Sequence, residues 1–435
     1  MMLLLTVFVV AVVVFVVVAL HRGIWPAMAI AILATMIIAP RRLTNNSVVE
    51  NTGLAGSAPD LYSYSAVIFV AAIVLVLNKN VPINRIFLPF IFLLIIGSGF
   101  IWESTSLVQA GLLQLMLGVL AWGVGSHLGN QSTIDISFAK FFSGLITGII
   151  VLETVIALAQ FLGLSINSMD PSTAALMGSR VNGSMNHPNN LGKVLLFLII
   201  ILIPFLRSKD KQVRQRSLAG ILLAFLPMAL TGGRATFIAA LVVVVLTGIL
   251  SRGMKGRLAM PLGVLVLILP FIDSIWQRFE EDPEGGSRAY LLDIAIRQIT
   301  AHPWEGIGPN SYVSLVGLTD ALTATGLPVH NTFLLTAAEL GIPVAAALFL
   351  PLIYVLAIAW KSRSLKGHPG ASAAAYLAAS PAWILVAATG WGMLSTSIFP
   401  LWFFTLGYIS SPFMIRSNRS LDIDESELKD DLKIS

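Results

Sequence analysis

Residues 328–360 read PVHNTFLLTAAELGIPVAAALFLPLIYVLAIAW. The stretch leaves a polar loop through Pro328, His330 and Asn331 and enters an apolar run at 332–360, long enough to cross a bilayer as a helix. His330 and Asn331 are therefore expected where water meets lipid. Glu339 follows nine positions later; at about 100° per residue it lies on the opposite side of the helix from His330 and about 13 Å further along, so the two make no simple acid–base pair. His330 has two readings. It is a helix-entry histidine bonded to its loop, or it is a proton acceptor at a membrane-surface site, since imidazole titrates near neutrality without help.

Composition extends this reading to the whole chain. Of 435 residues 56% are apolar and 11% charged, and mean hydropathy is +0.86, which implies an all-α, polytopic integral membrane protein. The absence of cysteine excludes a disulfide framework, a thiolate metal site and a cysteine nucleophile. Net charge is only +5, and no nucleic-acid partner is expected. The opening MMLLLTVFVVAVVVFVVVAL has neither a basic leader nor a small-residue cleavage site and reads as a retained helix.

Apolar runs fall at about 3–20, 24–39, 64–78, 86–102, 107–126, 141–163, 189–206, 217–230, 235–250, 258–272, 332–360, 372–394 and 400–415, giving about 12 or 13 spans. Basic clusters orient them. Arg207, Lys209, Lys211, Arg214 and Arg216 mark one cytoplasmic loop, Arg252, Lys255 and Arg257 a second, and Lys361, Arg363 and Lys366 a third. Three segments then face outside: 165–188, the turn Thr231–Arg234, and the long loop 273–329, which carries three arginines, eight acids and no lysine. Counting back places Arg22 inside and Arg41 and Arg42 outside. The chain thus divides into a transmembrane domain, 1–415, and a charged cytoplasmic tail, 416–435, expected to be disordered. Asp422-Ile-Asp424 in that tail has the spacing of a nucleotide-sugar metal site, but no folded domain surrounds it.

Soluble-enzyme motifs are absent: there is no Walker loop, HExxH or GxSxG, and Gly306-Ile-Gly308 lacks the third glycine of a dinucleotide fingerprint. Candidates for chemistry gather on the outer face. Ser287 can cap a helix running SRAYLLDIAIRQITA, with Arg288 in its first turn and Leu292, Ile296 and Ile299 on one stripe, as in a helix lying on the bilayer surface. Arg234, in LTGGRATF between two apolar runs, either reaches the headgroups or forms an anion site. RVNGSMNHPNNLGK, from Arg180 to Lys193, has Asn182, Asn186, Asn189 and Asn190 available to bond sugar hydroxyls, although helix capping and turns would use the same residues. Glu153 is expected to be buried against another helix or protonated. The acids of EEDPEGG, Glu280, Glu281 and Asp282 among them, read as a solvated loop, and no metal or other cofactor is expected.

In the order RVNGSMNHPNN, LTGGRATF, SRAYLLDIAIRQITAHPWEGIGPNSY and HNTFLLTAAELG, the chain resembles the O-antigen ligase and O-antigen polymerase superfamily of bacterial inner-membrane glycosyltransferases over roughly 140–410. The resemblance implies that His330 is the general base and that Arg234 and Arg288 bind the pyrophosphate of a lipid-linked glycan. The family's usual Ser-Arg-Gly context is Gly233-Arg234-Ala235 here. Arg180, Asn186, His187, Asn189 and Asn331 are candidates for contact with glycan or acceptor. The implied donor is an undecaprenyl-pyrophosphate-linked glycan, and the implied acceptor another glycan or glycolipid, with the bilayer and a polysaccharide-assembly system as surroundings. The HPNN form of the external motif resembles polymerases of capsular or exopolysaccharide systems; a ligase acting on lipid A core is the alternative. Pairing one base with a cationic leaving-group site implies a metal-independent, inverting displacement. From a different class, a transporter or flippase would require internal repeats with matched broken helices, which the sequence does not contain.

Overall fold

Glycine lets two long helices cross with their backbones in contact. The computed structural model describes residues 15–38, 61–77, 85–167, 177–250, 262–263 and 287–431. Its helices are α1 (Ile24–Leu33), α2 (Ser63–Leu77), α3 (Leu88–Ile96), α4 (Ser106–Ile134), α5 (Ile136–Phe161), α6 (Pro188–Leu202), α7 (Lys211–Leu230), α8 (Arg234–Leu250), α9 (Arg288–Ala301), α10 (Tyr312–Val316), α11 (Ala321–Ala324), α12 (Thr332–Leu340), α13 (Ile342–Ser362), α14 (His368–Ala388) and α15 (Ile398–Asp431). α4 packs along α15. A Cβ at Gly125 or Gly129 would meet the carbonyl of Phe404 or Tyr408, and one at Gly407 the carbonyl of Trp122. Small residues let helix backbones approach this way in lipid, where no hydrophobic drive holds helices together. Gly125→Ala is therefore expected to cost about 1–3 kcal/mol of stability by overpacking. Gly123→Ala, a site with nothing within 4 Å, should cost nothing; thermal unfolding in detergent compares the two.

The architecture is all-helical and polytopic, with no β-strand among the described residues. Seven helices there are long and apolar enough to cross a membrane, and four shorter apolar helices accompany them: 24–38, 63–77, 85–101 and 234–250. Most of the expected runs thus appear as helices. Most of run 3–20 and nearly all of run 258–272 lie outside the described residues, as do Arg41, Arg42, Arg252, Lys255, Arg257, Glu280, Glu281 and Asp282. One expectation is corrected. The run 332–360 is not a single span, because Gly341, at φ 77°, stops α12, and Pro343 opens α13; a left-handed glycine followed by proline ends a helix and starts the next.

Charge separates the two ends of the bundle. At one end Lys140 pairs with Asp210 at 2.7 Å, and Arg216 donates to the Lys140 carbonyl. Arg22, Lys140 and Arg216 share a cavity of about 290 Å³ there. Ile37, at the far end of the 24–38 helix, has its carbonyl 3.0 Å from Ser184 Oγ, so Arg22 and residue 38 lie at opposite ends. The segments 177–188, Thr231–Arg234 and 287–331 meet at this second end. α15 continues to Asp431, so residues 416–431 extend that helix.

Candidate active site

The loop end is held by buried carboxylates and amides that accept backbone N–H groups. Glu153, 0% exposed within α5, accepts from the N–H and hydroxyl of Ser184. Gln160 Oε1 accepts from the N–H groups of Asn182 and Gly183, and its amide donates to the Gly183 carbonyl. Asn182 is itself buried and donates to the carbonyls of Asn167 and Met185. It therefore shapes the 182–185 turn and is not available to a sugar.

Glu339 plays the same part for the longer loop. Its two carboxylate oxygens accept from Asn310 N at 3.0 Å and Tyr312 N at 3.1 Å, and its carbonyl accepts from Gly308 N. Trp102 Nε1 donates to the Glu305 carbonyl, and Asn310 to that of Leu107. Glu339 thus braces the loop and lies before the spanning helix, not deep within one. Burial pushes its carboxyl up to about 7, against the pull of the two N–H groups. Because the folded state holds this proton more tightly than the ordinary value of 4.5, the group's contribution is full below pH 4.5 and is lost as pH rises through about 7. Glu339→Gln, which cannot ionise, is expected to remove that slope from thermal unfolding. It should also loosen the 306–312 loop to limited proteolysis, since an amide cannot accept two N–H groups on two oxygens.

On this frame α9 carries Arg288 at its first position. Ser287 is the N-cap residue but makes no side-chain cap bond, so the expected serine cap is corrected. Tyr290 donates to Asp320 Oδ1 at 2.6 Å, and Asp320 caps α11 by accepting from Thr323 N. These bonds tie the start of α9 to the loop. α9 packs on α12 through a buried face of Leu291 and Ala295, which leaves Leu292 and Ile296 exposed at 40% and 49%. The expected stripe thus faces away from the protein, with Ile299 packed inward.

His330 lies close enough to Arg288 to feel its charge. Its Nδ1 is buried and finds no hydrogen bond. Burial lowers the imidazole below its ordinary 6.5, Arg288 lowers it further, and the nearby Pro328 carbonyl acts weakly the other way. Asn331 is committed to capping α12, its Oδ1 accepting from Phe333 N and Leu334 N. Thr332 donates to the Gly390 carbonyl at 2.7 Å, which ties this helix start to the turn after α14.

A second group forms around the start of α6. Arg180 donates to the Thr231 carbonyl at 2.6 Å and to Asn189 Oδ1, placing it against the Thr231–Arg234 turn. Gly232, at φ +61°, makes that turn, and Arg234 opens α8. Asn186 Oδ1 accepts from Asn190. His187 caps α6, with Nδ1 accepting from Asn189 N at 3.0 Å. A ring nitrogen that accepts an N–H carries the lone pair, so the proton sits on Nε2, and His187 is a hydrogen-bond donor there rather than a base. Burial first, then Lys193 and Arg180, pull its ring down to about 4. His302 is half-exposed and paired with Glu305 at 2.8 Å. Among His187, His302 and His330, only His330 has a ring nitrogen both buried and unfilled.

The structure thus brings Arg288 to His330, and Arg180, His187 and Asn189 to the turn carrying Arg234. Sequence reasoning does not single out Glu339 and Gln160 as anchors. A carboxylate in an apolar run is readable as a special residue, but its partners are not. Among the described residues no cluster of three or more His, Asp or Glu suits a metal ion.

No curated protein matches the chain. The family model described as O-antigen ligase matches residues 219–349, less than a third of the sequence, and that segment contains Arg234, Arg288 and His330 in order. With its all-helical architecture and seven helices long and apolar enough to cross a membrane among the described residues, this chain is a multi-pass membrane protein, and its 219–349 segment is similar to the O-antigen ligase family.

Proposed function

We propose that the protein is a glycosyltransferase of the bacterial cytoplasmic membrane that moves a glycan from undecaprenyl pyrophosphate to an acceptor hydroxyl on the outer face. The observation that carries this reading is the pairing of His330, with its unfilled buried Nδ1, and the Arg288 guanidinium beside it. His330 takes the proton from the acceptor hydroxyl as that oxygen attacks the anomeric carbon, a step typically worth about 10²–10⁴-fold. The bond to the pyrophosphate breaks on the opposite side, so the anomeric centre inverts. The leaving group departs with its charge already in place, and Arg288 and Arg234 hold it through planar, bidentate donors without need of a metal. Purified protein given lipid-linked glycan and acceptor in detergent should form product with no membrane gradient. Absence of product under those conditions, with gradient-dependent movement of the glycan in vesicles, would replace the enzyme by a transporter.

Within that reaction we favour a polymerase, whose acceptor is a second lipid-linked repeat unit, on the strength of the His187-Pro188-Asn189-Asn190 motif at the head of α6. A deletion strain should then accumulate single repeats. Full-length chains stranded on the lipid carrier would instead identify a ligase.

A further inference from the structure

Lys193 is buried at 7% exposure inside the wall of the bundle. It sits on α6, in a span of which 89% is buried, and makes no ion pair with any described residue. Its ammonium has three donors, and among the described residues only one is used, to Asn190 Oδ1 at 3.2 Å. An ammonium away from water without a counter-charge is costly. The structure nevertheless makes room for it. Gly392, in the turn between α14 and α15, has no side chain, and a Cβ there would collide with Lys193 Nζ. The same turn takes the Thr332 hydroxyl at the Gly390 carbonyl, two residues from His330. Lys193 therefore lies between the Arg180–His187 group, whose imidazole feels both cations, and the turn that supports His330.

We propose that Lys193 is an oxyanion-binding residue of the site, and that the anion completing its coordination is a phosphate of the lipid-linked substrate. The proposal rests on the glycosyltransferase reading for the identity of the substrate, though not for the existence of the anion subsite. A lysine suits this position because its compact charge needs no planar partner, whereas Gly392 leaves no space for a longer head group. The competing source of an oxyanion is a carboxylate on an acidic sugar of the acceptor.

The test uses the full-length protein in detergent and undecaprenyl pyrophosphate alone as probe, with Lys193→Met, Gly392→Ala and His330→Ala beside the parent. Lys193→Met is expected to weaken binding about tenfold to a hundredfold, the loss of one charge-assisted contact, while raising thermal stability because an unpaired buried charge is removed. Gly392→Ala should displace the flexible amine and weaken binding in the same direction, and the two changes together should be no worse than Lys193→Met alone. His330→Ala should bind the probe as the parent does. Unchanged probe binding by Lys193→Met overturns the proposal, and a rise confined to the KM of an acidic acceptor overturns the phosphate assignment in favour of the carboxylate. If His330→Ala keeps full transfer activity while Lys193→Met still loses the probe, the base assignment fails and the anion subsite stands.

Discussion

His330→Ala is expected to lower the transfer rate by about 10²–10⁴-fold while leaving insertion and undecaprenyl pyrophosphate binding intact. The expectation follows from how the imidazole is held. Its backbone precedes Asn331, whose side chain caps α12, and Thr332 fastens that helix start to the Gly390 turn, so the chain that carries the ring is anchored immediately after it. Nδ1 makes no hydrogen bond, which leaves it open to a hydroxyl in the proposed mechanism. Burial, and then Arg288, hold the ring below its ordinary 6.5, so the neutral, proton-accepting form prevails at neutral pH. The acid limb of kcat/KM should accordingly fall below pH 6.5, and it should vanish from the residual rate of the alanine variant. His187→Ala and His302→Ala are expected to keep activity within about tenfold, because one ring caps a helix and the other pairs with Glu305, losses worth about a kcal/mol each. A dead His187→Ala or His302→Ala beside an active His330→Ala would reassign the base. Activity in all three would remove histidine from the mechanism.

Arg288→Lys and Arg234→Lys are each expected to reduce kcat/KM by about tenfold or more at unchanged membrane abundance, although charge is conserved. A guanidinium offers two parallel donors to a phosphate, and an ammonium a single point of charge. Both arginines also open helices, where the free N–H groups and the helix dipole add to the attraction for an anion. Lysine would keep that background and lose the fork, so a moderate defect is expected from lysine and a deeper one from alanine. Initial rates across donor concentrations, with each variant normalised to its amount in the membrane, decide the matter. Near-parental turnover in both lysine variants would sink the assignment of these arginines to the pyrophosphate.

Several elements were readable in advance because their signals are local. The apolar runs, the basic loops between them and the two arginines at helix starts each depend on residues within a turn or two of one another. Even the corrected break at Gly341 was present as Gly-Ile-Pro, masked by the hydrophobicity around it. The helix at 288–301 was readable, and so was the outward position of Leu292 and Ile296, whereas Ile299 packs inward. The helix's N-cap was not, because whether a serine turns back to bond the backbone depends on what surrounds it.

Sequence alone determined that this chain is an all-helical, many-span membrane protein, that its loops divide between a basic end and a polar end, and that His330 opens a helix at the close of the longest polar loop. Tertiary structure alone decided which polar residues hold the frame and which are left without a hydrogen-bond partner. Glu339 serves loop N–H groups 27 and 29 positions earlier, Trp102 meets a carbonyl 203 positions away, and Lys193 is sealed in by the absence of a side chain at Gly392. Hydropathy and capping are properties of neighbours along the chain. The partner of a buried polar group is set by where distant helices cross, so a one-dimensional pattern identifies the costly residue but not what relieves it.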